Sequence, residues 1–364
     1  MSDPSSIPLG NLYRMLCYAW SRTEQQFLRA DAPSAFDRIE DLFGHLLATA
    51  TKDILRRGIA RGYLTREEDL RAPRGKILAS DTMKRQLRLR GRVACSFDEW
   101  STDVVVNRVV RSGIARLIPL VSRGVAHDLA FVDRAFAEVG REELSPNLFH
   151  SLVVSPGHRH YGFAIDLCAL LARWSLPAID GRGRAFIDPR KSEQEMGWLF
   201  ETFVRSYLQK HLQGQRVRGE RQLDWALQPE SPSGSAILPA MFTDIRLSGS
   251  AGLAVIEAKY TNEALPAGRD GKRRIRASHL YQLHAYVTHL ERLHLGVPRA
   301  ILLIGHPGAA FTHRYRMGDG EWTVVAVDLR ESWSSLCASV VAAATPPTRA
   351  FAASLVPLGG SKPT

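Results

Sequence analysis

The residues whose types and spacing can do chemistry lie in the last third of the chain. Phe242-Thr243-Asp244-Ile245-Arg246-Leu247 and Ala254-Val255-Ile256-Glu257-Ala258-Lys259-Tyr260 are apolar runs joined by SGSAG, whose Gly and Ser suit a hairpin turn. A hairpin centred between Ser250 and Ala251 pairs residues whose numbers sum to 501, which sets Asp244 opposite Glu257. Side chains alternate along a strand, so Glu257 and Lys259 share a face. Two carboxylates and an ammonium on a mostly apolar hairpin are costly to desolvate unless paired or bound to a cation. Two hard oxygen donors with room for water suit Mg²⁺, with Mn²⁺ as its substitute. The metal would lower the pKa of a bound water and neutralise charge on a scissile phosphate, while the lysine orients the water or meets the developing oxyanion. That chemistry is phosphodiester hydrolysis. An isolated E-x-K is ordinarily a surface ion pair; the Asp at the matching hairpin position sets this one apart.

The neighbouring elements supply further candidates. Upstream, GWLFETFVRSYL carries an apolar ridge of Leu199, Phe203 and Tyr207, with Glu201 placed either to join the metal shell, to bond Lys259, or to face solvent. Downstream, SHLYQLHAYVTHL sets Gln282 and Tyr286 at i, i+4 on one helical face, suited to a phosphate or a flanking base. Between strand and helix lie Arg269, Lys272, Arg273, Arg274 and Arg276, five cations in eight residues beside a proposed phosphate-cutting centre, read as DNA-backbone contacts. His158 and His160 in GHRHYG lack a third ligand and are not read as a metal site.

The elements that must position these groups alternate in an α/β order. Apolar periodicity predicts helices over 11–20 and 35–57, the latter capped at Gly58. Alternating stretches including Leu87, Leu89, Val93 and Cys95 predict a small sheet with basic edges over 63–97. Helices follow over 102–120, 128–139 and 145–174, then a turn-rich boundary at 177–192 and a helix over 193–212. Strands are expected over 236–247 and 253–260, a helix over 277–293, strands over 300–305, 313–316 and 322–329, and a last helix over 331–344. The expected domains are 1–100, a docking region of helices and a small sheet; 101–185, a helical linking region; 186–345, a nuclease domain; and 346–364, a mobile tail.

Composition bounds the rest. A chain of 364 residues exceeds the usual size of one core, and 45% hydrophobic with 23% charged residues excludes wholesale disorder. The net charge of +11 points toward a polyanion, but the excess divides evenly, with 27 cations and 21 anions in 1–185 against 21 and 16 in 186–364. Four scattered cysteines without C-x-x-C spacing indicate neither zinc nor disulfides, and a reducing cytoplasm is the expected compartment. No basic-then-apolar leader and no long apolar run is present, so secretion and membrane spanning are not expected. Gly75-Lys76 is followed by Ile77 and Gly271-Lys272 by Arg273, so no G-x-x-x-x-G-K-[ST] loop exists and any nucleotide-driven motor must be a separate chain.

The D…E-x-K set with a helical Glu before it and Q-x-x-x-Y after it resembles the PD-(D/E)xK nuclease superfamily. More narrowly, NLYRMLCYAW, EEDLRAPRGKI, FDEWSTDVVVNRVVR, LFETFVRSYL, TDI…IEAKY and LYQLHAYV, in that order, resemble the McrC-like subunits of McrBC-type modification-dependent restriction systems. The resemblance implies a restriction-endonuclease-like domain with a mixed central sheet flanked by helices. It implies a DNA endonuclease that acts when bound to a ring-forming AAA+ GTPase of the McrB type, with GTP used only by that partner, on double-stranded DNA carrying modified cytosine. Carried over by position, Asp244 and Glu257 would be metal ligands and Lys259 the catalytic lysine, with Glu201 and Gln282 in supporting roles. Many relatives carry Asp at the position of Glu257. The basic stretch from Lys84 to Arg92 matches nothing in that pattern.

Overall fold

The computed structural model describes residues 6–19, 36–177, 184–223, 237, 241–293 and 296–346. The chain forms two compact units, one of residues 22–188 and one that joins residues 1–21 to residues 189–364. The boundary between Asp188 and Pro189 lies three residues from the division expected at 185, and no boundary of these units falls at 100. Residues 36–177 form a single unit, and the first helix belongs with the carboxy-terminal one.

That helix, α1 (Leu9–Ala19), is fastened by bonds that no local pattern reveals. Asn11 Nδ2 donates to Leu329 O (2.9 Å) and Glu331 O (2.8 Å), and Arg190 Nη1 donates to Ile7 O (3.0 Å). A buried amide with both protons used is worth about 1–3 kcal/mol. The expected tail beyond 346 lies outside the described residues.

The 22–188 unit begins with α2 (Ile39–Arg57), which ends at Gly58 with φ 103 as the C-cap spacing requires. Three antiparallel strands follow: β1 (Gly62–Leu70), β2 (Lys76–Ile77) and β3 (Val93–Ser101), in the order β1-β3-β2. Between β2 and β3 come α3 (Ala79–Lys84) and a 3-10 turn over Leu87–Arg90. The strand expected through Leu87 and Leu89 is absent there. A strand would place both on one face; instead left-handed Gln86 (φ 51) and Gly91 (φ 63) close a turn that buries Leu87 and leaves Leu89 84% exposed. Helices α4 (Val105–Leu117), α5 (Arg123–Asp133), α6 (Pro146–Ser151) and α7 (Gly162–Arg173) complete the core, followed by the short pair β4 (Ser175–Pro177) and β5 (Arg184–Phe186).

A buried polar knot ties this unit together. Tyr161 hydroxyl donates to Asn107 Oδ1 (2.6 Å) and accepts from Ala60 N (2.8 Å), while Asn107 Nδ2 donates to Ala60 O (2.8 Å) and Thr102 O (2.6 Å). His158 and His160 go to separate partners, Ser155 Oγ and Gly58 O.

The other unit is built on a six-stranded mixed sheet: β6 (Gln215–Leu223), β7 (Met241–Gly249), β8 (Gly252–Tyr260), β9 (Arg299–His306), β10 (Phe311–Met317) and β11 (Gly320–Asp328), ordered β10-β11-β9-β8-β7-β6. Strands β8, β9 and β11 run parallel, and the β6-β7-β8 and β10-β11 pairs are antiparallel. The helices are α8 (Glu193–His211), α9 (Ala277–Arg292) and α10 (Trp333–Ala344). Leu283, Tyr286, Val287 and Leu290 of α9 pack on Val255, Ala300, Leu302, Ile304, Val324 and Ala326. Alternation puts Glu257 and Lys259 on this same α9 face. On the opposite face Phe200 of α8 lies so close to Gly305 that an added Cβ would sit 2.8 Å from its ring.

Strand β6 was not among the expected elements. Its sequence QRVRGERQL holds few apolar residues because it is an edge strand, paired on one side only.

Candidate active site

The hairpin has the register its turn predicts. Pairs run from Gly249↔Gly252 to Ile245↔Ile256, and the next step along both strands is Asp244 beside Glu257. Gly252 (φ 82) supplies the left-handed residue of the turn. Asp244 Oδ2 accepts from Ala258 N (3.0 Å), which pins that carboxylate across the strand pair. Lys259 Nζ lies 2.5 Å from Glu257 Oε1 and 3.8 Å from Asp244 Oδ2. The structure thus brings the three groups together.

The electrostatics follow from burial. Glu257 is fully buried, and neither of its carboxylate oxygens has a hydrogen-bond partner of proper geometry among the described residues, although Oε1 touches the ammonium. Desolvation, reinforced by the Asp244 charge and only partly offset by Lys259, pushes its pKa up to about 8. For Lys259 burial works downward, but Asp244, Glu257 and Glu201 outweigh it, and the pKa is raised. The lysine is therefore an ammonium at neutral pH, and Glu257 holds a proton through part of that range. A buried carboxylate with one oxygen left open, beside a second carboxylate, fits a divalent cation. Among the described residues no three His, Cys, Asp or Glu side chains cluster to hold a metal unaided, so water or substrate oxygens would complete the shell.

The flanking candidates are placed as follows. Glu201 pairs with Arg205 Nη1 (3.3 Å), and its charge is felt at both Glu257 and Lys259, but it makes no three-carboxylate cluster with Asp244 and Glu257. Gln282 Nε2 donates to the Tyr286 hydroxyl (2.8 Å). Burial, then the nearby Glu257 and Asp244 charges, raise the pKa of Tyr286, which keeps that hydroxyl neutral. The 269–276 segment is exposed, yet three of its five cations have carboxylate partners: Arg273 with Glu263, Arg274 with Asp270 (2.7 Å), and Arg276 with Glu193 (3.5 Å). Arg269 and Lys272 have no such side-chain partner among the described residues. Exposed pairs of this kind are weak, about 0–1 kcal/mol, and can exchange for phosphate.

Two residues near Lys259 escaped the sequence reading. Glu193 at the start of α8 accepts from Thr261 Oγ1 (3.1 Å) and Asn262 N (2.8 Å), anchoring the end of β8 immediately after the lysine. His279 lies one turn before Gln282; burial and the Lys259 and Arg276 charges lower its pKa, and its Nδ1 is buried without a partner among the described residues. The i, i+3, i+7 spacing of His279, Gln282 and Tyr286 on one helical face was the available signal.

Comparison with known proteins bears on this arrangement. Residues 10–304 match the family described as McrBC 5-methylcytosine restriction system component. The chain belongs to this family. The Escherichia coli (strain K12) protein "Type IV methyl-directed restriction enzyme EcoKMcrBC" is 25% identical over 330 residues, spanning 90% of this chain and 94% of that protein. Among solved structures, a refined half-complex from a tetradecameric assembly of Thermococcus gammatolerans McrB AAA+ hexamers with bound McrC shares the fold at TM-score 0.54 and 15% identity, over 93% of this chain and 75% of the matched one. A cryo-EM structure of the Thermococcus gammatolerans McrBC complex aligns at TM-score 0.41 and 17% identity, over 60% of this chain and 61% of that one, too loosely to argue from.

The McrBC-family match contains α8, the β7-β8 hairpin and α9, hence every candidate side chain above. Strands β10 and β11 and helix α10 lie beyond residue 304. Among the described residues no helix is long and apolar enough to cross a membrane.

Proposed function

We propose that this McrBC-family chain is the Mg²⁺-dependent DNA endonuclease subunit of a GTP-dependent restriction complex directed at modified cytosine, and that it docks on and stimulates an AAA+ GTPase ring of the McrB type. The observation that carries the reading is Glu257, wholly buried and paired only with the Lys259 ammonium among the described residues, beside Asp244 on one sheet face. An adaptor that only bound DNA would have no use for three mutually costly ionisable groups. The mixed sheet with helices on its faces is the arrangement expected of a PD-(D/E)xK nuclease domain. The E. coli relative is named as a methyl-directed restriction enzyme, and the solved relative of like fold is McrC bound to McrB AAA+ hexamers.

Asp244 and Glu257 would hold the cation. When bound, Mg²⁺ supplies charge neutralisation at the scissile phosphate and a water of lowered pKa. Ala258 N fixes the Asp244 carboxylate, so the donor is oriented before substrate arrives. Lys259, kept protonated by its neighbours, presents an ammonium to the phosphate or the attacking water. Glu193 holds the end of β8 and so the rotational setting of Lys259. Gln282, steadied by Tyr286, offers an amide to a phosphate oxygen.

The test is cleavage of methylated plasmid by the reconstituted complex. Asp244→Ala and Lys259→Ala are expected to abolish Mg²⁺-dependent cutting while complex formation and GTPase stimulation persist. Cutting at the wild-type rate by the Asp244→Ala complex would overturn the assignment.

A further inference from the structure

The sheet face that carries Asp244, Glu257 and Lys259 continues past the site onto β7 and the edge strand β6. Side chains alternate along β7, so Phe242, Asp244, Arg246 and Ser248 share this face, while Met241, Thr243, Ile245 and Leu247 are buried on the other. The β6-β7 register sets Arg218 directly opposite Arg246 and Arg216 directly opposite Ser248. Three arginines therefore follow Asp244 on one face of two paired strands. Helix α9 packs over β8 and β9, and α8 packs on the reverse side of β6, where Arg205 lies against Gly219. Arg216 and Arg218 stand exposed on the side that neither helix covers among the described residues.

Arg216 and Arg218 form no ion pair and no side-chain hydrogen bond among the described residues. Arg246 is half-buried and engaged in an interaction of its own. Like charges directly opposite on a strand pair destabilise it, so Arg218 facing Arg246 costs the fold something unless a counter-charge joins them from outside. The cations of residues 269–276 differ on this point, since three of those five already have carboxylates. Guanidinium groups present planar forks that match the oxygens of a phosphate two at a time.

Spacing identifies the counter-charge. Arg246 lies one pleat repeat along β7 from Asp244, about 7 Å, and Arg218 stands beside it across about 4.8 Å. Arg216 is a further repeat on, about 14 Å from Asp244. A DNA strand rises about 3.4 Å per nucleotide, so these positions lie about two and about four nucleotides from a phosphate held at Asp244. A row of arginines leading away from Asp244 at even steps matches the backbone of the strand being cut. A protein contact would have an apolar centre. The exposed aromatic residue of this face, Phe242, lies on the far side of Asp244 from the arginines.

We propose that Arg218 and Arg246 clamp a backbone phosphate about two nucleotides from the scissile one, and that Arg216 meets a second about two further on, so that β6 is the substrate track of the site. The track reads no base and takes methylated and unmethylated duplex alike. It rests on the reading of Asp244, Glu257 and Lys259 as a phosphodiester-cutting centre and deepens it. The arginines bind substrate and do not touch the reacting atoms. The polar sequence of β6 then has a use beyond that of an edge strand.

The experiment measures binding of the full chain to a short labelled duplex by fluorescence anisotropy in EDTA, from low salt upward. The double variant Arg216→Ala/Arg218→Ala is expected to lower the slope of log K against log salt by about 1.8, at about 0.9 per phosphate contact. The loss should be equal on methylated and unmethylated duplexes. Without DNA the variant should melt no lower than the wild type, since removing Arg218 relieves its opposition to Arg246. Should the double variant misfold, Arg218→Gln alone is expected to lower the slope by about 0.9. An unchanged slope in a variant that melts like the wild type overturns the proposal, as does a wild-type chain that binds no duplex at low salt. An unchanged slope with loss of partner binding would make β6 a protein contact and overturns it equally. The nuclease reading fails separately, through cutting by the Asp244→Ala complex, because the slope in EDTA involves no cutting.

Discussion

Glu257 is the residue on which the proposed chemistry turns, and its burial makes a prediction that does not require cleavage. Its folded-state pKa of about 8 stands above the ordinary 4.5, so between those values the folded chain keeps a proton that the unfolded chain has released. Stability then falls as pH rises through this window, and the contribution is fully present only below it. In metal-free protein, Glu257→Gln should flatten the decline in melting temperature between about pH 5 and about pH 8. Mg²⁺ should stabilise the wild type most at the upper end, releasing a proton that calorimetry in buffers of different ionisation enthalpy will count. A parallel decline in wild type and variant would show that Glu257 is not the titrating group. The identity of this residue and of Asp244 and Lys259 was legible in the sequence because hairpin register is arithmetic. His279 and Glu193 were not, because their roles depend on how α8 and α9 land on the ends of β8, which no spacing within either helix states.

Among the elements, α8 and β9 meet at a point where size decides the fit. Gly305 faces the Phe200 ring, and Phe200 is fully buried with no room to withdraw. Gly305→Ala is expected to cost about 1–3 kcal/mol by overpacking. Urea unfolding should show it, with the cleavage rate per folded molecule nearly unchanged. If the variant is as stable as the wild type, α8 does not rest on β9 as described. Elements with a full apolar period, such as α2, α9 and the parallel strands β8, β9 and β11, were legible because burial on a face writes itself into the sequence. Edge strand β6 and the 87–90 turn were not. One lacks a second neighbour to demand apolar residues; the other alternates Leu and Arg like a strand, while left-handed Gln86 and Gly91 bend it into a turn.

Across the whole molecule, the pattern of charge and the division into units both depend on what the chain brings together over long separations. Counting charge by halves conceals the +7 held by residues 71–92, because the two halves total a similar +6 and +5, although all of the first half's excess sits in this one segment. Sequence order likewise assigns α1 to the amino-terminal region, whereas more than three hundred residues separate Asn11 from its partners Leu329 and Glu331. Asn11 is nearly fully buried, so Asn11→Ala leaves two carbonyls without their donor and is expected to cost about 1–3 kcal/mol. The loss should appear in the unit that contains the β7-β8 hairpin. Hydrogen exchange of the full chain should therefore accelerate in α1, α8, α10 and the end of β11, and remain at the wild-type rate in α2, α4 and α7. Tyr18 reports on the same junction, since its hydroxyl lies 2.9 Å from His211 Nε2 and its ring stacks on Trp333. A change of Trp fluorescence should accompany the faster exchange. Acceleration confined to α2 and α4 would instead tie the first helix to the 22–188 unit.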